Sequence, residues 1–508
     1  MIQDSLRHYS LGQPVPASPH AVCVSIPTMA DVIGYETRNP ATMAKISTGY
    51  PRFVLHPLTA RAGQWFAGET GLRGRAVFAL NSDRCLDELR AFVGSDDFAA
   101  SEREGMTFAH VPESEENRAL GKLFLQHAGC GASSRRAEDL LERVGCLEHR
   151  HEETLVTDGA EAIVRENLAQ AFGSIASSDI MFSVSGMNAF YALFQAIRAA
   201  RSPRGRTLWI QLGWLYVDTL KILQKFLGPE EELVVIEDVS DLDSVRRLLE
   251  ERGDQVSAVV TESPTNPLVQ TCDLPALNEL CSQSGVLLVA DPTSASPRNV
   301  KVLPYCDVLV NSLTKYSGNE GDVLLGSLVF SPSSNNPDLA EIRERVEPLL
   351  DLPFAGDMGR LAAQIPDYEE VVRRSNRGVM ELVAFLESHS KVSKVHWAYA
   401  EDSRSHYESI AREPDSPGCL FSMELSIELQ GFYDELSLLK SPSFGCKFSL
   451  ACPYLYLAHY DMVSTENGRA SLRKAGLNPN LLRVSVGAEP VDQLIGVFEE
   501  AFDRASGS

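Results

Sequence analysis

The sequence predicts an α/β protein, with a mostly parallel sheet in a large domain and a smaller α+β domain at the C-terminal end. Three observations carry that prediction. From about residue 180 to residue 330, short apolar runs alternate with stretches of helical spacing, the order produced by strands joined through crossover helices. The runs are too short for helices and end in polar residues, as strands buried on both faces do. Beyond Ser331 a polar linker at 332–337 leads into longer helical patterns. The expected boundaries are an N-terminal extension with a small α/β unit (1–118), the large domain (119–331) and the C-terminal α+β domain (332–508).

The composition narrows the function. A chain of 508 residues, 44% hydrophobic and 23% charged, can bury a large core in more than one domain. Its formal net charge of −23, from 46 Lys+Arg against 69 Asp+Glu, argues against nucleic acid or an anionic membrane as partner. An anionic ligand therefore needs a local cluster. Ten cysteines lie between Cys23 and Cys452 with no Cys-x-x-Cys pair and no metal-ligand spacing, which points to buried thiols in a reducing compartment. Residues 1–16 carry no signal-peptide core, and no apolar run reaches membrane-spanning length, so the expected location is cytoplasmic.

Taken in order, residues 1–68 hold Pro, Gly and short apolar pieces without a period and are expected to lie on a larger body. A strand at 76–80, a helix at 85–93 and a strand at 106–111 form the small α/β unit. The acidic run 113–116 reads as a solvated turn. In Ser133-Ser134-Arg135-Arg136, either arginine can be a surface charge or part of a site. A helical stretch from 161 leads to a strand at 180–184, which turns through Ser185-Gly186-Met187 into a helix with Phe190, Leu193, Phe194 and Ile197 on one face. Gly lets the backbone approach a ligand closely, and the first-turn N–H groups form an anion site; a plain turn explains Ser-Gly equally well.

A strand at 207–211 runs into Gly213-Trp214-Leu215-Tyr216 and a helix from 220. Trp214 or Tyr216 can lie flat on a cofactor ring, and core packing accounts for either as well. The strand at 256–260 ends in Thr261-Glu262-Ser263-Pro264-Thr265-Asn266-Pro267, where two prolines stiffen the loop that carries Glu262 and Asn266. For Glu262 a rigid connecting turn remains the alternative. The run 286–290 delivers Asp291 and then Thr293, and the run 308–310 delivers Ser312, Thr314 and Lys315. Strand carboxyl ends are where ligands bind in an open α/β sheet. An acid for a ring nitrogen, hydroxyls for a phosphate and an amine for an aldehyde are what pyridoxal phosphate requires.

The C-terminal pattern predicts helices at 338–350 and 368–388 and strands at 392–399 and 419–425, with Ser443-Phe444-Gly445 and a final strand containing Arg483. A guanidinium in an apolar strand needs an anionic partner, either a structural Asp or Glu or a substrate carboxylate. His459 reads as a packed core or interface histidine.

With these residues together, the chain resembles the cystathionine γ-synthase family of Cys/Met-metabolism pyridoxal-phosphate enzymes, of fold type I, aspartate-aminotransferase-like, over about residues 120–500. The resemblance rests on ordered blocks: Ser185-Gly186-Met187, Tyr216-x-x-Thr219, Glu262-Ser263-Pro264-x-Asn266-Pro267, Asp291-x-Thr293, Ser312-x-Thr314-Lys315-Tyr316, Ser443-x-Gly445 and Arg483-x-Ser485-x-Gly487. Ser18-Pro19-His20 and Gly49-Tyr50-Pro51-Arg52-Phe53 resemble the extended fungal branch and carry no obvious catalytic group.

The resemblance implies that Lys315 joins the cofactor and moves protons, that Asp291 pairs with the ring nitrogen, and that Tyr216 stacks on the ring as a plausible proton donor. It implies that Asn266 touches the phenolic oxygen, that Gly186, Met187, Ser312 and Thr314 hold the phosphate, and that Thr293 joins the cofactor set. An arginine from a neighbouring subunit completes the cup in the family; Arg135 is the candidate, although the usual Tyr-x-Arg pattern is missing. Arg483, helped by Ser443, would bind the substrate carboxylate. The shared site implies a homodimer or homotetramer.

The implied activity is γ-substitution on an activated homoserine such as O-acetyl-L-homoserine, with an amino-acid substrate and a second, nucleophilic substrate as partners. Two departures bear on the nucleophile. Val217-Asp218 replaces the usual Gly-Gly, and Phe448 stands where many members carry a glutamate associated with the amino group of cysteine. Rival readings are a carbon nucleophile such as a β-keto acid in a specialised pathway, a γ- or β-lyase, and an inactive scaffold. Retention of Lys315, Asp291 and Arg483 together weighs against the scaffold, because a fold alone does not require the set.

Overall fold

The computed structural model describes residues 5–50 and 54–505. Its centre is a seven-stranded sheet in the order Ile180–Ser183, Gly326–Phe330, Val308–Ser312, Leu287–Asp291, Val256–Glu262, Leu208–Leu212, Glu232–Ile236. Gly326–Phe330 runs antiparallel to both of its neighbours, and the other six strands share one direction. Period-2 alternation explains why the inner strands read as unbroken apolar runs. Leu287 and Val289 pack into the cluster around the helix Gly186–Arg201, whereas Leu288 and Ala290 pack into the cluster that continues into the C-terminal domain. Each fully buried Leu or Val among them contributes about 1.5–3 kcal/mol.

The C-terminal domain holds a five-stranded sheet in the order Val392–His396, Leu420–Leu425, Leu482–Ser485, Leu450–Pro453, Leu439–Lys440, covered by the long helix Tyr368–Ser388. In the small N-terminal unit, Met106–Pro112 lies between Arg75–Leu80 and Ala99–Arg103, all antiparallel. The segment before it lies on the larger body, as its lack of period predicts. Val22 donates its N–H to Gly321 O at 2.8 Å, Ile26 to Lys440 O at 3.0 Å, and Met29 to the Asp434 carboxylate at 2.7 Å.

Four expectations change. The acidic run is not a turn: Ser114 caps the helix Glu115–Ala128, and Glu115 and Glu116 lie in its first turn, where the helix dipole favours negative charge. The helix expected from 220 begins at Val217. Glu232–Ile236 and the helix Leu242–Arg252 were not anticipated; the strand is at the sheet edge and only partly buried, so its apolar signal is diluted. The helix Ala355–Gln364 was not anticipated either, its Gly, Asp and Arg interrupting the pattern. Nine of the ten cysteines are buried and Cys146 is exposed, all of them free thiols. No helix among the described residues is long and apolar enough to cross a membrane.

Candidate active site

The carboxyl ends of three adjacent strands place Glu262, Asp291 and Ser312 together, with Asp291 directly opposite Glu262 in the ladder. Ser185 caps the helix Gly186–Arg201 by accepting from Asn188 N–H, and its first turn points at the same place. Gly186 permits a close approach there: a Cβ would lie 3.1 Å from Ser312 Cβ and 3.2 Å from its Cα. These residues open into a crevice of about 360 Å³, a size that takes a small cofactor. Gly186, Met187, Tyr216, Asp291, Thr293 and Ser312 line its inner part, and Lys315, Asn266, Ser443 and Arg483 line the side toward the C-terminal domain.

Lys315 Nζ donates to Ser443 Oγ at 2.8 Å. Asp291 Oδ1 accepts from Thr293 N–H at 2.7 Å, and burial pushes its carboxyl up to about 6. Burial, reinforced by neighbouring Asp291, holds Glu262 well above the usual carboxylate range. Glu262 is not a plain turn residue, because its carboxyl oxygen accepts the backbone N–H of Tyr216 and so fixes the residue that opens the helix Val217–Lys225. Arg483 donates to Asn266 Oδ1 at 2.9 Å and to the carbonyls of Pro442 and Ser443, with Phe444 and Tyr454 rings 5.4 and 4.8 Å from its guanidinium carbon. Among the described residues no carboxylate pairs with it, so the structural Asp or Glu allowed by the sequence is not there. A buried guanidinium compensated only by neutral groups is suited to a carboxylate ligand.

Several expected residues stand elsewhere or are already engaged. Thr314 is buried with its hydroxyl on the Leu325 backbone and does not line the crevice. Thr293 reaches the crevice, but its hydroxyl donates to Asn311 Oδ1 and accepts Ser312 N–H, bracing one strand end against the next. Asn266 lines the crevice with Oδ1 held by Arg483. Arg135, expected to complete the cup of a neighbouring subunit, does not line the crevice of its own chain: Glu153, Asp357 and Asp322 surround its buried guanidinium, beside a separate cavity of about 520 Å³ without the lysine and Asp291. Trp214 packs edge-on against His459 at 5.7 Å, so of the two aromatic residues Trp214 and Tyr216 it is Tyr216 that lines the crevice. His459 is the packed histidine expected, with burial pushing it down to about 4. Asp218, at the place of a usual glycine, accepts from Gln126 at 3.0 Å and lies 3.2 Å from His127.

Sequence reasoning missed Tyr50, whose ring lines the crevice; the rest of its motif, Pro51-Arg52-Phe53, lies outside the described residues. It also missed a cluster far apart in sequence. Cys85, Cys130 and Asp351 offer sulfur and carboxylate atoms within 4.8 Å of one another. The contact with Cys130 and burial hold the Cys85 thiol well above its ordinary range, and burial raises Asp351, so both favour protonated forms.

Comparison with known proteins gives the family. Residues 160–503 match the model of the Cys/Met metabolism PLP-dependent enzymes. The chain belongs to this family. Pyridoxal phosphate is its cofactor, and the crevice fits it, with a hydroxyl and helix N-terminus at one end, a part-buried acid at the other and a lysine between strand and C-terminal domain. The chain is 39% identical to the L-2-amino-4-chloropent-4-enoate dechlorinase/desaturase of Streptantibioticus cattleyicolor, over 97% of this chain and 98% of that one. It is 26% identical to the cystathionine gamma-synthase of Neurospora crassa, over 98% of each chain. The solved cystathionine gamma synthase of Xanthomonas oryzae pv. oryzae superposes with a TM-score of 0.58 at 22% identity, covering 69% of this chain and 87% of that one, and confirms fold type I.

Proposed function

We propose that this enzyme expels a leaving group from Cγ of an α-amino acid, with a γ-chloro, γ-unsaturated amino acid such as 2-amino-4-chloropent-4-enoate as its substrate. The observation that carries the choice of leaving group is the 39% identity, from end to end, with a dechlorinase/desaturase of that compound. The recognition of an amino acid rests on Arg483, whose guanidinium has no carboxylate partner among the described residues and is joined to Lys315 through Ser443.

In this reading Arg483 binds the substrate carboxylate and Ser443 keeps it in register with Lys315. Asp291 pairs with the cofactor's ring nitrogen, and Gly186, Met187 and Ser312 hold its phosphate. Pyridoxal phosphate, when bound, withdraws electrons from Cα so that its proton can leave. The Lys315 amine takes the Cα proton and serves again at Cβ, and Tyr216, fixed by Glu262, orients the departing group or donates a proton. Loss of HCl from the substrate breaks the Cγ–Cl bond and one C–H bond, and the product carries one further unsaturation. The family's shared site supports a homodimer or homotetramer as the working assembly.

A second reading, γ-substitution on O-acetyl-L-homoserine by cysteine or a carbon nucleophile, is favoured by the 26% identity to a cystathionine gamma-synthase. It is placed second because Phe448, where many family members carry a glutamate associated with the amino group of cysteine, is buried among Val15, Val22 and Cys23 and offers no charge to a second amino acid. Product analysis by mass spectrometry with chloride measurement separates them. The proposal expects stoichiometric chloride and an unsaturated amino acid from the chloro compound without a second substrate. No chloride release, together with a cysteine or carbon adduct from O-acetyl-L-homoserine, would overturn it.

A further inference from the structure

The amine of Lys315 is held by a hydroxyl and two aromatic faces. Ser443 Oγ accepts from Nζ at 2.8 Å, and the centroids of Phe444 and Tyr50 are each 5.0 Å from it. An aromatic face attracts a cation at that distance, more strongly when water is excluded. Phe444 follows Ser443 in the C-terminal domain, but Tyr50 belongs to the N-terminal extension, to which neither sequence nor family assigned a catalytic task.

The extension is built to deliver that ring. Cys23–Val24 pairs with Pro14–Val15, and Val22 and Ile26 donate to Gly321 O and Lys440 O. Thr48 Oγ1 donates to Ala21 O at 2.9 Å, tying the segment before Tyr50 to the same anchor. Gly49 has φ +145°, and a Cβ there would lie 3.3 Å from Val24 Cγ1, so the chain turns against Val24 only with glycine at this position. Tyr50 then packs against a cluster that includes Val15, Val22, Cys23, Cys446 and Phe448. The phenylalanine that replaces the expected glutamate is thus part of the bed for the extension. Tyr35, Glu36 and Arg38, from the helix Met29–Glu36 and the turn after it, line the same crevice.

We infer that Tyr50 is a positioning residue for Lys315: its ring, opposite Phe444, holds the lysine nitrogen on Ser443 and shields it from solvent, which makes the N-terminal extension a working wall of the active site. The inference rests on Lys315 as the cofactor-bearing lysine. It predicts dependence on an aromatic face and not on the phenol hydroxyl.

The test compares wild type, Tyr50→Phe and Tyr50→Ala, with Tyr50→Leu carrying the comparison where the alanine variant does not fold. Each is loaded with pyridoxal phosphate and reduced with sodium borohydride; the loss of visible absorption gives the rate, and peptide mapping locates the pyridoxyl group. Tyr50→Phe is expected within about twofold of wild type, whereas Tyr50→Ala and Tyr50→Leu are reduced about tenfold faster and turn over about tenfold more slowly, with KM little changed. Equal reduction rates and equal kcat in all variants, with the label on Lys315, would overturn the inference while leaving the site intact. A label on another lysine would overturn the reading of the crevice and the inference with it.

Discussion

Asp291 illustrates how burial prepares a single side chain for a charged partner. Its folded carboxyl is pushed up to about 6 by burial, above the ordinary value of about 3.9. A raised acid stabilises the fold while protonated, fully below about pH 4, and that contribution is lost as pH rises through about 6. A cation placed against Asp291 reverses the balance by favouring the carboxylate. The affinity of the cofactor-free chain for pyridoxal phosphate is therefore expected to rise between about pH 5 and about pH 7 through Asp291. Asp291→Asn should flatten that part of the profile and weaken binding at neutral pH by about 1–3 kcal/mol, read by absorbance titration. The position of Asp291 in the crevice was legible in the sequence, since an acid ending an apolar run points to a strand's carboxyl end. The role of Glu262 was not, because its bond to the Tyr216 backbone joins two strand ends that no local pattern connects.

At the scale of elements, the strand-to-helix turn at Ser185-Gly186 carries the phosphate end of the proposed site. The close approach of Gly186 to Ser312 makes a methyl group there a tight contact. Gly186→Ala is expected to shift the first turn of the helix Gly186–Arg201 against Ser312 by a few tenths of an ångström, at a cost of about 1–3 kcal/mol. The expected result is a lower melting temperature for the cofactor-free protein and weaker pyridoxal phosphate binding; an unchanged value of either would remove the turn from the account. Elements with strong periodicity were legible, as the helix Tyr368–Ser388 demonstrates. Those with diluted patterns were not. Glu232–Ile236 alternates weakly because it is an edge strand, and the acids at 115–116 resemble a solvated turn until Ser114 is recognised as a cap.

In the whole molecule, the site lies where three parts of the chain meet. The large domain supplies Lys315, Asp291 and Asn266, the C-terminal domain supplies Ser443 and Arg483, and the extension supplies Tyr50. Two hydrogen bonds across the domains, Lys315 to Ser443 and Arg483 to Asn266, hold the crevice together. The net charge of −23 makes this local concentration of basic groups necessary for binding anionic ligands. Motif order revealed the first two contributors, since each block ends a recognisable strand or loop. The third was hidden because the anchoring of Tyr50 depends on contacts with Gly321, Lys440 and Phe448, remote in sequence. All three converge on one amine. The most direct measurement is the visible spectrum and turnover of Lys315→Ala after incubation with pyridoxal phosphate. The account predicts that the variant folds but lacks both the absorption band of lysine-bound cofactor and product formation; a variant that kept the band and the turnover would contradict it.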